Sequence, residues 1–130
     1  MSLKILVADD NNFTRNVYED MFKKRGHEVV SASNGDECLT KFKTRWLSKS
    51  PGAKVFDSVI LDYSMPQANG DEVVGEILRM SPKQDVLILS AYDADKLKEA
   101  FAKTKDSVEI IQKGFPIEAL IEKLESNEGK

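Results

Sequence analysis

The chain has 130 residues, 41% hydrophobic and 32% charged, with a formal net charge of -3 at pH 7. One domain (1–130) of this length buries roughly two-thirds of its unfolded surface, and the composition excludes a disordered tail. The slight acidity argues against direct nucleic-acid binding, and no apolar run approaches the roughly 18 residues of a membrane span. MSLKILVADD has too short an apolar stretch for a signal peptide. The single cysteine, Cys38, has no partner for an internal disulfide, so a reducing cytoplasm is the expected setting.

Residues 3–8 are apolar on both faces, as in a central parallel strand covered twice. Residues 12–25 have helical spacing, with Phe13, Val17, Met21, Tyr18 and Phe22 on one stripe. Asn11 or Asn12 is the expected N-cap and Gly26 the stop. His27 is expected at a turn or strand edge, before a short strand over 28–32. Asn34-Gly35 leads into a helix over 36–47 that buries Cys38, Leu39, Phe42 and Trp46. Residues 48–53, with Pro51 and Gly52, form a loop. A third strand spans 57–61. Gly70 precedes a helix over 71–80 carrying Val73, Val74, Ile77 and Leu78, which Ser81-Pro82 ends. Strands over 86–89 and 108–111 follow, separated by a helix over 94–103 with Leu97, Ala100 and Phe101 inward. A last helix over 117–125 carries Ile117, Leu120, Ile121 and Leu124.

Five strands alternating with five helices predict an α/β, doubly wound parallel sheet. The flavodoxin-like (βα)5 order 2-1-3-4-5 would set strands one and three side by side at the switch point, where such sheets bind ligands. Asp9 and Asp10 follow the first strand, Asp62 the third, Ser90 the fourth and Lys113 the fifth. Each has an ordinary reading: the acids as helix caps, Ser90 as a cap, Lys113 as a surface lysine. Jointly they describe one crevice. Three carboxylates there repel one another unless one is protonated or a cation sits among them, and Mg²⁺ suits such oxygen ligands. Lys113 would add a positive charge for a phosphoryl oxygen and Ser90 a hydrogen bond. Asp62 is a competent nucleophile towards phosphorus.

Asp9-Asp10, Asp62-Tyr63-Ser64-Met65-Pro66 with Asn69-Gly70, Ser90-Ala91 and Lys113 together resemble the CheY-like receiver domain of two-component response regulators, over about residues 3–125. The resemblance implies that Asp62 accepts a phosphoryl group from a phosphohistidine on a sensor kinase or phosphotransfer protein. It implies Mg²⁺ held by the side chains of Asp10 and Asp62, Asp9 close by through water, and the Ser64 backbone carbonyl. Ser90, with Ala91 beside it, and Lys113 would bind the phosphoryl oxygens. The readout surface would be residues 94–125, partly lined by Lys96, Lys98, Glu99 and Lys103. That surface would serve a downstream partner or output domain, or a homodimer. Such a protein catalyses only its own phosphorylation and dephosphorylation.

Two positions depart from the family pattern. Ile110 stands where an aromatic switch residue is usual, with Tyr92 as the nearest substitute gate. Gly114 replaces the proline after the lysine, so the Lys113-Gly114 bond should be trans. The stretch from Thr44 to Val55 is also longer than typical members of that family carry. Both departures keep open a receiver-like interaction module that is not phosphorylated. A haloacid-dehalogenase-type phosphatase would want an acid where Ser64 stands, and a nucleotide- or flavin-binding module would want a Gly-rich loop after the first strand.

Overall fold

The computed structural model describes residues 2–63, 70–90 and 108–128. Strand β1 (Lys4–Ala8) leads to α1 (Asn12–Lys24), β2 (Glu28–Ala32), α2 (Gly35–Ser48), β3 (Ser58–Asp62), α3 (Gly70–Met80), β4 (Val86–Ser90), β5 (Val108–Gln112) and α4 (Ile117–Glu128). The expected helix over 94–103, with Ser64, Ala91 and Tyr92, lies outside the described residues.

The five strands form one sheet in the order β2-β1-β3-β4-β5, every neighbouring pair parallel. This is the doubly wound, flavodoxin-like arrangement the alternation predicts. All residues of β3 and β4 are buried, which explains their unbroken apolar sequences: helices cover both faces. On one face Cys38, Phe42, Val73, Val74 and Ile77 of α2 and α3 close over Leu6, Val59 and Ile88. On the other, Tyr18 and Phe22 of α1 and Leu120, Ile121 and Leu124 of α4 close over Ile5, Ile60 and Leu87.

Asn11 is the α1 N-cap, its side chain accepting the Thr14 N–H. Phe13, expected on the buried stripe, is 75% exposed. The buried part of the stripe begins later in the helix, at Tyr18 and Phe22, with Met21 packed beside them. Trp46 is only half-buried, packed against the rim of the α2–α3 core. The loop after α2 returns Val55 and Phe56 to that core, with the Arg45 guanidinium 4.7 Å above the Phe56 ring.

His27 is a buried structural residue rather than an edge one. Its Nδ1 accepts the Leu3 N–H at 2.9 Å, so the proton sits on Nε2, which donates to Glu125 of α4 at 2.7 Å. Arg25 bonds the same carboxylate. These bonds fasten the far end of α4 to the amino-terminal end of the sheet.

Candidate functional site

Strand register brings the acids together. Ala8 of β1 lies opposite Leu61 of β3, so the next residues, Asp9 and Asp62, emerge side by side at the carboxyl ends of adjacent strands. Asp62 is itself the last residue of β3 rather than the first of a loop, and is buried, as is Asp9; Asp10 is exposed. One carboxylate oxygen from each of Asp9, Asp10 and Asp62 lies within 4.8 Å of the others.

The loop after β1 is fixed by its own polar groups. The Asp9 N–H donates to the Ala32 carbonyl at 3.0 Å. Asp9 Oδ1 accepts the Asn11 N–H at 2.9 Å, and the Asp9 carbonyl accepts from Arg15 at 2.7 Å. Neither acid therefore caps α1; Asn11 does, and Asp9 braces the turn ahead of it. Burial pushes the Asp9 carboxyl above its ordinary range, the Asn11 bond opposes this, and the neighbouring Asp62 adds to the rise.

Lys113 follows β5, its backbone N–H donating to the Ser90 carbonyl at 2.6 Å. Its ammonium reaches Asp62 Oδ1 at 2.9 Å. Ser90 ends β4 and is completely buried. Ile110 is half-buried and packs against the α2–α3 core, opposite Ile88. No peptide bond among the described residues is cis, and Gly114 takes φ 104°, which proline cannot adopt.

Tyr63 explains the glycine eight residues after Asp62. A Cβ on Gly70 would stand 2.6 Å from Tyr63 Cδ1, and the Tyr63 hydroxyl donates to Asp71 at 3.3 Å. The ring next to Asp62 thus lies on the first turn of α3. Sequence reading also missed the part of Tyr18 in this region. A cavity of about 330 Å³ is lined by Asp9, Asp10, Asp62, Lys113 and, from α1, Tyr18. The one available signal was a hydroxyl-bearing ring on a stripe otherwise apolar.

The carboxylates fit a hard divalent cation: three oxygens converge on one another, and an ammonium engages only one of them directly. Asp10 and Asp62, with Asp9 close by, would hold it. No described helix is long and apolar enough to cross a membrane.

Comparison with known proteins agrees with this geometry. The chemotaxis protein CheY of Thermotoga maritima is 33% identical over 92 residues, covering 70% of this chain and 69% of that protein. The chemotaxis protein CheY of Listeria monocytogenes is 31% identical over 124 residues, covering 95% and 96%. Some other relatives are much longer, the chain spanning 23% of one of them. A crystal structure of a CheY-like response regulator receiver domain protein from Methanospirillum hungatei superimposes with a TM-score of 0.80 at 18% identity, over 98% of this chain and 94% of that one; at that identity the match speaks for the fold alone. The family model of the response regulator receiver domain matches residues 5–125. With the family model spanning the whole sheet and the acids meeting where its strands end, the chain belongs to the response regulator receiver domain family.

Proposed function

We propose that this receiver is a phosphoacceptor, with Asp62 as the phosphorylated residue. The observation that carries the reading is the meeting of Asp9, Asp10 and Asp62 within 4.8 Å, with the Lys113 ammonium 2.9 Å from Asp62. Phosphoryl transfer asks for alignment and charge neutralisation more than for covalent help, and those are what these groups supply.

An Asp62 oxygen attacks phosphorus in line with the P–N bond of a phosphohistidine on a sensor kinase or phosphotransfer protein. The O–P bond forms as the P–N bond breaks, and the imidazole leaves with a proton. Asp10 and Asp62, with Asp9 and the Ser64 carbonyl, would hold Mg²⁺, which when bound neutralises charge on the phosphoryl oxygens. Lys113 exchanges its bond to the Asp62 carboxylate for one to a phosphoryl oxygen. Ser90, adjoined by Ala91, donates to another. The new group carries more charge and more acceptor oxygens than the carboxylate it replaces. The pull it exerts on Ser90 and Lys113 biases the 94–125 surface towards a downstream partner, an output domain or a second copy. With an aliphatic side chain at Ile110, an aromatic gate would fall to Tyr92. The setting is the cytoplasm.

The test is acetyl phosphate with Mg²⁺, read by intact mass. Wild-type protein should gain a base-labile, acid-stable phosphate and Asp62→Asn should not. An unchanged mass with every donor favours the second reading, a receiver-like interaction module that signals by binding alone. The aliphatic packing of Ile110 and the glycine at 114 are what favour it.

A further inference from the structure

We infer that Tyr18 is a positioning residue for the cation site, its phenolic hydroxyl holding a cavity water against Asp9 at the edge of the cation's coordination shell. The assignment rests on the metal-assisted reading above and extends it to a residue of α1 outside the acid cluster.

The geometry comes from two polar residues that line the same space. Tyr18 is only 4% exposed and packs within the α1–α4 core, stacked against Phe22 at a ring distance of 6.4 Å. Its hydroxyl has no hydrogen-bond partner among the described residues. No described side-chain nitrogen or oxygen sealed from solvent lacks a partner, so this hydroxyl is not sealed, and Tyr18 lines the cavity beside the acids. Asp9, on the same cavity, is bonded at Oδ1 by the Asn11 N–H; no described group bonds its other oxygen. A phenol and a carboxylate thus belong to residues lining one space of about 330 Å³, roomy enough for several waters. A buried phenol without a water partner there would be costly.

Burial, then the charges of Asp9 and Asp62, push the phenol's pKa upward, so at neutral pH the group remains a hydrogen-bond donor. Groups that orient a metal's ligands from behind are worth about 10- to 100-fold in affinity. Acting through water, Tyr18 belongs at the lower end, about tenfold.

The experiment titrates Mg²⁺ into four metal-free proteins by calorimetry: wild type, Tyr18→Phe, Asp9→Asn and Tyr18→Phe/Asp9→Asn. Phenylalanine keeps the ring and its packing, so the metal-free melting temperature of Tyr18→Phe should match wild type, whereas its Kd for Mg²⁺ rises about tenfold. In the Asp9→Asn background the same change should cost much less, because the carboxylate it works through is gone; a purely packing role would not show this coupling. Wild-type affinity in Tyr18→Phe, or equal losses in both backgrounds, overturns the assignment of Tyr18 alone. Absence of any Mg²⁺ heat from wild type overturns it together with the metal-assisted reading.

Discussion

Replacing Asp9 by asparagine should stabilise the metal-free protein at pH 7. Asparagine keeps the oxygen that accepts the Asn11 N–H and removes only charge. Two unit charges at the 4.8 Å that bounds this cluster repel by about 3.5 kcal/mol at an effective dielectric near 20. Asp9 faces two such neighbours, so the unscreened sum at that separation is about 7 kcal/mol. Lys113 draws off much of it, and Asp10 lies in solvent. A net gain of about 1–2 kcal/mol is expected after screening. Roughly 2–8 °C per kcal/mol spans domains smaller and larger than this one, which puts the rise in melting temperature near 5 °C.

The pH dependence follows from the raised Asp9 pKa. Its ordinary value, near 3.8, applies to the unfolded chain. The folded protein therefore holds the proton more tightly. The stability this provides is complete below the ordinary value and is lost as pH rises through the raised one. Asparagine has no such loss. The variant's advantage should be small near pH 3.8 and grow towards neutrality. Scanning calorimetry with a chelator present, from acid to neutral pH, measures it. Equal stabilities at pH 7, or a difference that does not shrink on acidification, would refute the electrostatic reasoning. Addition of Mg²⁺ should reverse the order. At about 100 times Kd a ligand stabilises by about 2.7 kcal/mol, and the variant, binding less tightly, gains less.

Gly70→Ala should cost about 1–3 kcal/mol in denaturant unfolding, because its Cβ meets the Tyr63 ring at 2.6 Å; Tyr63→Ala in the same chain should recover most of it. Gly114→Pro, which restores the family's usual residue, should destabilise rather than help. A φ of 104° is closed to proline, and the phosphorylation rate should fall as Lys113 is displaced. Lys113→Ala should leave the Mg²⁺ titration largely intact while slowing phosphorylation by acetyl phosphate; loss of both would mean misfolding or a different site.

The strand order was legible because both faces of the sheet are covered: apolar runs such as Val59–Leu61 have few other places in a small α/β domain. The acid cluster was legible for a related reason. Once β1 and β3 are neighbours, register alone brings Asp9 beside Asp62. What periodicity could not supply was where packing partners end. Phe13 obeys the helical spacing of Val17 and Met21, yet it is left exposed. His27 looked isolated because its partners, Leu3 and Glu125, are distant in sequence. Tyr18 is hardest to read, since one side chain both packs in the core and lines the cavity.

The bonds from Arg25 and His27 to Glu125 give α4 a mechanical character. The helix is anchored at its distal end, while its near end hangs from Lys113 through Gly114 and Phe115-Pro116. A tug on the ammonium would reach the helix through the glycine joint at 114, against an end already tied down. If Asp62 is phosphorylated as proposed, the first turns of α4 lie nearest the change, and a partner reading that helix would have most to gain by gripping them.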